Sequence, residues 1–218
     1  MNEKIKKKQK EQTAILFDLD GTLLDSFSAH YEAYRVMFRR FGIRITMRKF
    51  HKTYSPNWYK TYEALKLPQE SWKLADRYWL EEIERRPAEL FEGVPRMLRK
   101  LHGLCKVGLV TSGSKPRVLK DLQYNRVDSI FDVVVTGGDV RNAKPHPEGL
   151  QKALYELGVK ATNAMYVGDA LADYEMAQAL GMRFIGVRSN FSVGKPKAPY
   201  PVVSSLSEIP KTFLKGNL

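Results

Sequence analysis

Thr13-Ala14-Ile15-Leu16-Phe17-Asp18-Leu19-Asp20-Gly21-Thr22-Leu23-Leu24-Asp25-Ser26 is the stretch whose reading decides the fold. Ala14 to Phe17 is a short continuous apolar run, the pattern of a strand buried on both faces of a parallel sheet. It ends in two carboxylates, Asp18 and Asp20, and then Gly21, which supplies turn geometry closed to residues with side chains. Alternation along an extended chain predicts that Asp18 and Asp20 point the same way, off the carboxyl end of the strand. In open α/β sheets ligands bind at that end. Two like charges this close repel unless a cation lies between them or one carries a proton. The pair therefore suits a hard cation such as Mg²⁺ shared with phosphate, or a nucleophile beside a proton donor. An acidic β-turn, for which Asp-Gly is a common dipeptide, accounts for the same residues.

Three more segments follow in order. Thr111-Ser112-Gly113 comes after the apolar run Lys106 to Val110, Lys144-Pro145 lies in a loop, and Gly168-Asp169-Ala170-Leu171-Ala172-Asp173 follows a further run, Ala164 to Val167. Each is weak alone. Thr-Ser-Gly occurs in ordinary loops, a lysine before a helix is commonplace, and acids at Asp169 and Asp173 favour a helix N-terminus. Together with the first stretch they resemble the four motifs of the haloacid dehalogenase-like superfamily, over roughly residues 13 to 210.

The resemblance implies roles residue by residue. Asp18 matches the nucleophile that attacks phosphorus and also ligates Mg²⁺. Asp20 matches the general acid/base, its main-chain carbonyl completing the metal shell. The dehalogenase branch of the family lacks this second Asp, so carbon–halogen cleavage is not expected. Thr111, Ser112 and Gly113 match the phosphoryl-oxygen binders, and Lys144 the fixed ammonium that offsets negative charge. Asp169 matches a further Mg²⁺ ligand, and Asp173 a group that acts through water or steadies the lysine. The metal set is thus Asp18, Asp20 and Asp169. His146, beside the lysine, reads as a loop histidine at an N-cap and stays outside the chemistry.

Ser26 is a good N-cap, and Phe27, Tyr31, Tyr34, Phe38 and Phe41 recur at helical spacing before Gly42. Further helices are expected over 47–54, 58–66 and 70–86, punctuated by Pro68 and Pro87. No strand pattern appears between Leu24 and Glu89, so residues 24–89 read as an all-helical insertion. It resembles the C1-type cap that many family members insert after their first motif. Its loop Tyr54-Ser55-Pro56-Asn57-Trp58 lies where relatives carry a specificity loop, which makes Tyr54, Asn57 and Trp58 the substrate-facing candidates. A linker with inward-packed aromatics fits the same residues, and the loop lacks the glycine common there.

From Phe91 onward strands and helices alternate, the signature of a parallel sheet. Strands are expected at Lys106–Val110, Val133–Val135, Ala164–Val167 and Phe184–Val187, with Val202-Val203 as an edge strand before a terminal helix. The fold class is α/β: a Rossmann-like doubly wound parallel sheet core (13–23 and 90–218) with the helical cap inserted, preceded by a basic tail, residues 1–12.

The chain of 218 residues carries 36 basic and 24 acidic side chains, a formal charge of +12. Part of the excess sits at Lys4, Lys6, Lys7, Lys8 and Lys10, a run of the kind that is usually solvated and frayed. The insertion from Ser28 to Ala88 holds 13 Lys or Arg against 7 Asp or Glu. A basic surface attracts anionic substrates and, without specificity, nucleic acid. No base-reading module is present, so nucleic acid is not the expected partner. The one cysteine, Cys105, permits no intramolecular disulfide, and no apolar run spans a bilayer. The expectation is a cytoplasmic, monomeric or dimeric protein with no membrane partner.

Residues and resemblance together point to a Mg²⁺-dependent phosphatase of the phosphoglycolate phosphatase and β-phosphoglucomutase-like branch. It would hydrolyse a small phosphorylated metabolite, of phosphoglycolate or sugar phosphate type, through an aspartyl-phosphate. A phosphomutase resembling β-phosphoglucomutase is the alternative, and a non-catalytic, basic nucleic-acid-associated protein the remote one. A phosphonate hydrolase would need a Schiff-base lysine near the start of the cap, and no Lys occurs between Ile15 and Lys49.

Overall fold

The structure is a computed structural model that describes residues 12–55, 57–192 and 198–210. The Lys-rich run, Pro56 of the insertion loop and most of the expected terminal helix lie outside those residues. Six parallel strands form one sheet: β1 (Ala14–Phe17), β2 (Lys106–Val110), β3 (Val133–Val135), β4 (Ala164–Gly168), β5 (Arg183–Val187) and β6 (Val202–Val203). Their order is β3-β2-β1-β4-β5-β6. The first strand in sequence is therefore central, pairing Ala14 with Lys106 on one side and with Ala164 on the other.

Strand alternation sends side chains to two cores. Ile15, Phe17, Val107, Leu109, Met165 and Val167 pack on one face with α5 (Val94–His102) and α6 (Lys115–Tyr124). Ala14, Leu16, Val110 and Tyr166 pack on the other with α7 (Glu148–Leu157) and α8 (Leu171–Gln178). Helices cover both faces, so every side chain of β1 is fully buried, as its unbroken apolar run requires. The sheet is doubly wound and Rossmann-like, as the sequence predicts.

Between β1 and α5 the chain forms α1 (Phe27–Arg40), α2 (Met47–Thr53), α3 (Trp58–Ala64) and α4 (Trp72–Glu84). Their apolar faces make a third core from Tyr34, Met37, Phe38, Phe50, Tyr62 and Ala75, into which Phe191, from the loop after β5, also packs. The chain departs and returns side by side: Phe91 N–H donates to the Leu23 carbonyl at 2.9 Å, and Asp25 N–H to that of Glu89 at 2.9 Å.

Some boundaries differ from the sequence reading. The helix expected over 58–66 stops at Ala64, where Lys66 adopts φ 57°. The one expected over 70–86 opens with a 3-10 turn, Gln69–Ser71, and ends at Glu84. Pro87 disfavours helical geometry at Arg86 and so trims its end.

Candidate active site

The strand stops at Phe17, and Asp18 is held at its carboxyl end by an N–H bond of 2.8 Å to the Val167 carbonyl. Asp18 Oδ1 accepts from Lys144 Nζ at 2.6 Å. The same ammonium donates to Asp173 Oδ1 at 2.7 Å and to the Tyr166 hydroxyl at 2.8 Å. Tyr166 in turn donates to the Val110 carbonyl at 2.9 Å. Asp173, in the first turn of α8, accepts from Ala170 N–H at 3.1 Å through its other oxygen. Asp169 accepts from the Ser189 hydroxyl, and Phe191 N–H donates to Ser189 Oγ at 3.2 Å. Four sequence-distant segments thus meet at the carboxyl ends of β1 and β4.

Gly21 makes this convergence sterically possible. Its φ is +75°, and a Cβ there would stand 2.6 Å from Asp169 Oδ2. Only glycine fits both demands.

Asp18, Asp169 and Asp173 present carboxylate oxygens that lie within 4.8 Å of one another, the cluster among the described residues able to hold a metal ion. Burial pushes Asp18 up to about 7; Lys144 pulls it back, while the charges of Asp173 and Asp20 add to the rise. Burial, then Asp173 and Asp18, lift Asp169 well above the usual carboxylate range. Burial opposes the charge on Lys144, but Asp173 and Asp18 outweigh it and raise its pKa. Three buried carboxylates against one ammonium leave surplus negative charge, which a divalent cation with oxygen preference would neutralise. The donor set fits such an ion.

Asp20 occupies different surroundings and is not in that cluster. Its Oδ1 accepts from Arg117 Nη2 and lies 3.2 Å from His30 Nε2. Burial would raise its pKa, but the Arg117 charge and then His30 hold it well below the ordinary value. Past Phe17, where the strand ends, Asp20 forms a bridge with Leu24, and it lies near enough to Asp18 for its charge to raise the Asp18 pKa.

Thr111 is fixed by its N–H bond of 3.0 Å to the Val135 carbonyl. Its Oγ1 accepts from Gly113 N–H at 3.2 Å, and the Gly113 carbonyl accepts from Gly137 N–H at 3.0 Å. Thr111, Ser112 and Lys144 line a cavity of about 130 Å³ that Asn57 and Trp58 also line from the helical insertion. Asn57 also caps α3, its Oδ1 accepting from Tyr59 N–H at 3.2 Å. Tyr54 does not line this cavity; its ring packs 4.6 Å from Phe191 and 6.0 Å from His30. His146 lines the cavity, with Nδ1 accepting from Glu148 N–H at 3.3 Å.

Four residues at the site were not singled out from sequence: Tyr166, Ser189, His30 and Arg117. A tyrosine within an otherwise aliphatic central strand is a readable signal, since a buried hydroxyl needs a partner. So is the Arg117/Asp121 pair four apart on a helix, here a 3.0 Å bond from Arg117 Nε to Asp121 Oδ2. Nothing local marks Ser189 or His30.

Residues 15–187 match the family described as haloacid dehalogenase-like hydrolase. Pyrophosphatase PpaX of Bacillus cereus (strain B4264) is 32% identical over 189 residues, covering 79% of this chain and 82% of the relative. Phosphoglycolate phosphatase of Yersinia pestis is 29% identical over 194 residues, 83% of each chain. The crystal structure of a candidate β-phosphoglucomutase from Thermotoga maritima superposes with a TM-score of 0.72 at 27% identity, covering 95% of this chain and 100% of that one. Among the described residues no helix is long and apolar enough to cross a membrane. The chain belongs to the haloacid dehalogenase-like hydrolase family and is an enzyme of its phosphatase type.

Proposed function

We propose that this protein is a Mg²⁺-dependent phosphatase that hydrolyses a small phosphorylated metabolite, of phosphoglycolate or sugar phosphate type, through an aspartyl-phosphate on Asp18. The observation that carries the reading is the buried junction of Asp18, Lys144, Asp169 and Asp173, where acids outnumber the ammonium. Phosphoryl transfer needs positioning and charge stabilisation above all.

Asp18 supplies the attacking oxygen. Lys144, pinned by Asp173 and Tyr166, faces both the nucleophile and the incoming phosphoryl group and offsets their negative charge. Thr111 and the Ser112 amide hold phosphoryl oxygens, and the Gly113 amide keeps the Thr111 side chain in place. Asp20 gives a proton to the leaving alcohol and then takes one from the water that cleaves the aspartyl-phosphate. A phosphate dianion beside Asp20 opposes the pull of Arg117 and favours the protonated form. Asp18, Asp169 and the Asp20 main-chain carbonyl would hold Mg²⁺, whose chemistry is to neutralise phosphoryl charge. Asn57 and Trp58 cover the cavity and exclude water from it.

The test is phosphate release from a panel of phosphorylated metabolites, with and without Mg²⁺. Turnover should require the metal. Asp18→Asn should lose at least a thousandfold in kcat while its circular dichroism matches the parent, and near-normal turnover in that variant would falsify the nucleophile assignment. The likeness to a candidate phosphomutase supports a second reading, which activation by a sugar bisphosphate with isomer formation in place of phosphate release would favour.

A further inference from the structure

Asp20 is gripped from two sides by side chains that the phosphatase reading does not use. Arg117, from α6, is 3% exposed and His30, from α1, 4% exposed. Both approach the same oxygen, Oδ1. Among the described residues nothing bonds to Oδ2, so one carboxylate oxygen is anchored and the other is available. Arg117 is itself fixed, its Nε donating to the buried Asp121 while Nη1 lies 3.4 Å from His30 Nε2. His30 is held in turn by rings at 5.5 Å (Phe191), 5.6 Å (Trp79) and 6.0 Å (Tyr54).

We infer that Arg117 and His30 are positioning residues for Asp20, clamping Oδ1 so that Oδ2 is the oxygen that exchanges the proton with the leaving group. The inference rests on the acid/base reading of Asp20 given above. The planar guanidinium holds Asp20 through one nitrogen and Asp121 through another, in a fixed fork that a flexible ammonium does not reproduce. His30 belongs to the helical insertion and Arg117 to the sheet-covering layer. The clamp on Asp20 thus draws one side chain from each of the two layers.

The experiment uses the full chain with Mg²⁺ and two probes, glycerol 2-phosphate and p-nitrophenyl phosphate. An alkoxide needs a proton to leave, whereas p-nitrophenolate leaves without one. Arg117→Lys and His30→Gln are made singly, and each also in an Asp20→Asn background. Melting curves show that each variant folds, and the two positions give independent routes should one fail. We expect each single variant to lose at least tenfold more in kcat/KM on glycerol 2-phosphate than on p-nitrophenyl phosphate, with KM changing little. Neither should lower activity further once Asp20 is Asn, since residues acting as a unit are non-additive. Equal losses on both probes, or additive losses in the Asp20→Asn background, overturn the clamp even if Asp20→Asn itself discriminates between the probes. If Asp20→Asn does not discriminate, the acid/base reading falls and the clamp with it.

Discussion

Lys144 Nζ stands 2.6 Å from Asp18 Oδ1, joining residues 126 positions apart in sequence. The bond is buried, so its electrostatic weight exceeds that of a surface pair. The 2.7 Å bond to Asp173 on the other side keeps the ammonium from following Asp18 alone.

Replacing Lys144 with Met leaves those acids without their cation. Removing one partner of a buried pair is strongly destabilising, about 3–5 kcal/mol in other proteins, and proton uptake by the acids limits the cost. The metal-free variant should melt below the parent, and Mg²⁺ should raise its melting temperature more than it raises the parent's. Turnover should fall at least a hundredfold even with metal present. Calorimetry with and without Mg²⁺, alongside phosphate release, checks both statements, and an unchanged kcat would remove Lys144 from the chemistry.

The raised pKa of Asp18 sets the sign of a pH effect on stability. Its carboxyl sits at 3.8 when unperturbed and at about 7 in the folded metal-free protein. Between those values the folded state holds a proton that the unfolded chain has lost, so this group's contribution falls as pH rises through that window. Asp18→Asn lacks the titration. Without metal, its melting temperature relative to the parent should rise from pH 4 to pH 7, and Mg²⁺ should shrink the difference. A gap independent of pH would show that Asp18 titrates normally.

Gly168 closes β4 immediately before Asp169. A Cβ there would come within 2.6 Å of the Cβ, Cγ and Oδ2 of Asp173. Gly168→Ala must therefore push Asp173 off Lys144. Overpacking of this kind costs about 1–3 kcal/mol, and at about 2–4 °C per kcal/mol for a chain of this size the melting temperature should drop visibly. Activity should fall further than the stability loss explains, because the lysine loses its second anchor. A variant with lowered melting temperature but full turnover would detach Asp173 from catalysis.

The central strand, the covering helices and the acids at strand ends were readable because each leaves a local trace. Ala14 to Phe17 is apolar without interruption since both its faces are covered, and Asp18 follows at the point where cover ends. Helix ends were read less well, because a positive φ at Lys66 has no clear mark in the sequence. The surroundings of Asp20 were not readable. They depend on His30 and Arg117 meeting across 87 residues, a contact with no periodicity behind it. The place of Tyr54 in its loop does not reveal its neighbours: its ring lies against Phe191, and the charges of Asp20, Asp169 and Asp18 reach its hydroxyl.

The strand order has a bearing on biosynthesis. The segment carrying Asp18 leaves the ribosome before the strands it pairs with, and finds its two lateral partners only when Lys106 to Leu109 and then Ala164 to Val167 have been translated. Until then the nascent chain carries an apolar ribbon with both edges open, the kind of segment that chaperones recognise and that aggregates when left alone. Helices α1 to α4 are made in that interval, and apart from Phe191 their shared core is drawn from their own segment, so they can fold before the sheet is complete. The acid junction is assembled only after the loop beyond β5 emerges, since Ser189 bonds Asp169 and Phe191 packs on Phe27 from there.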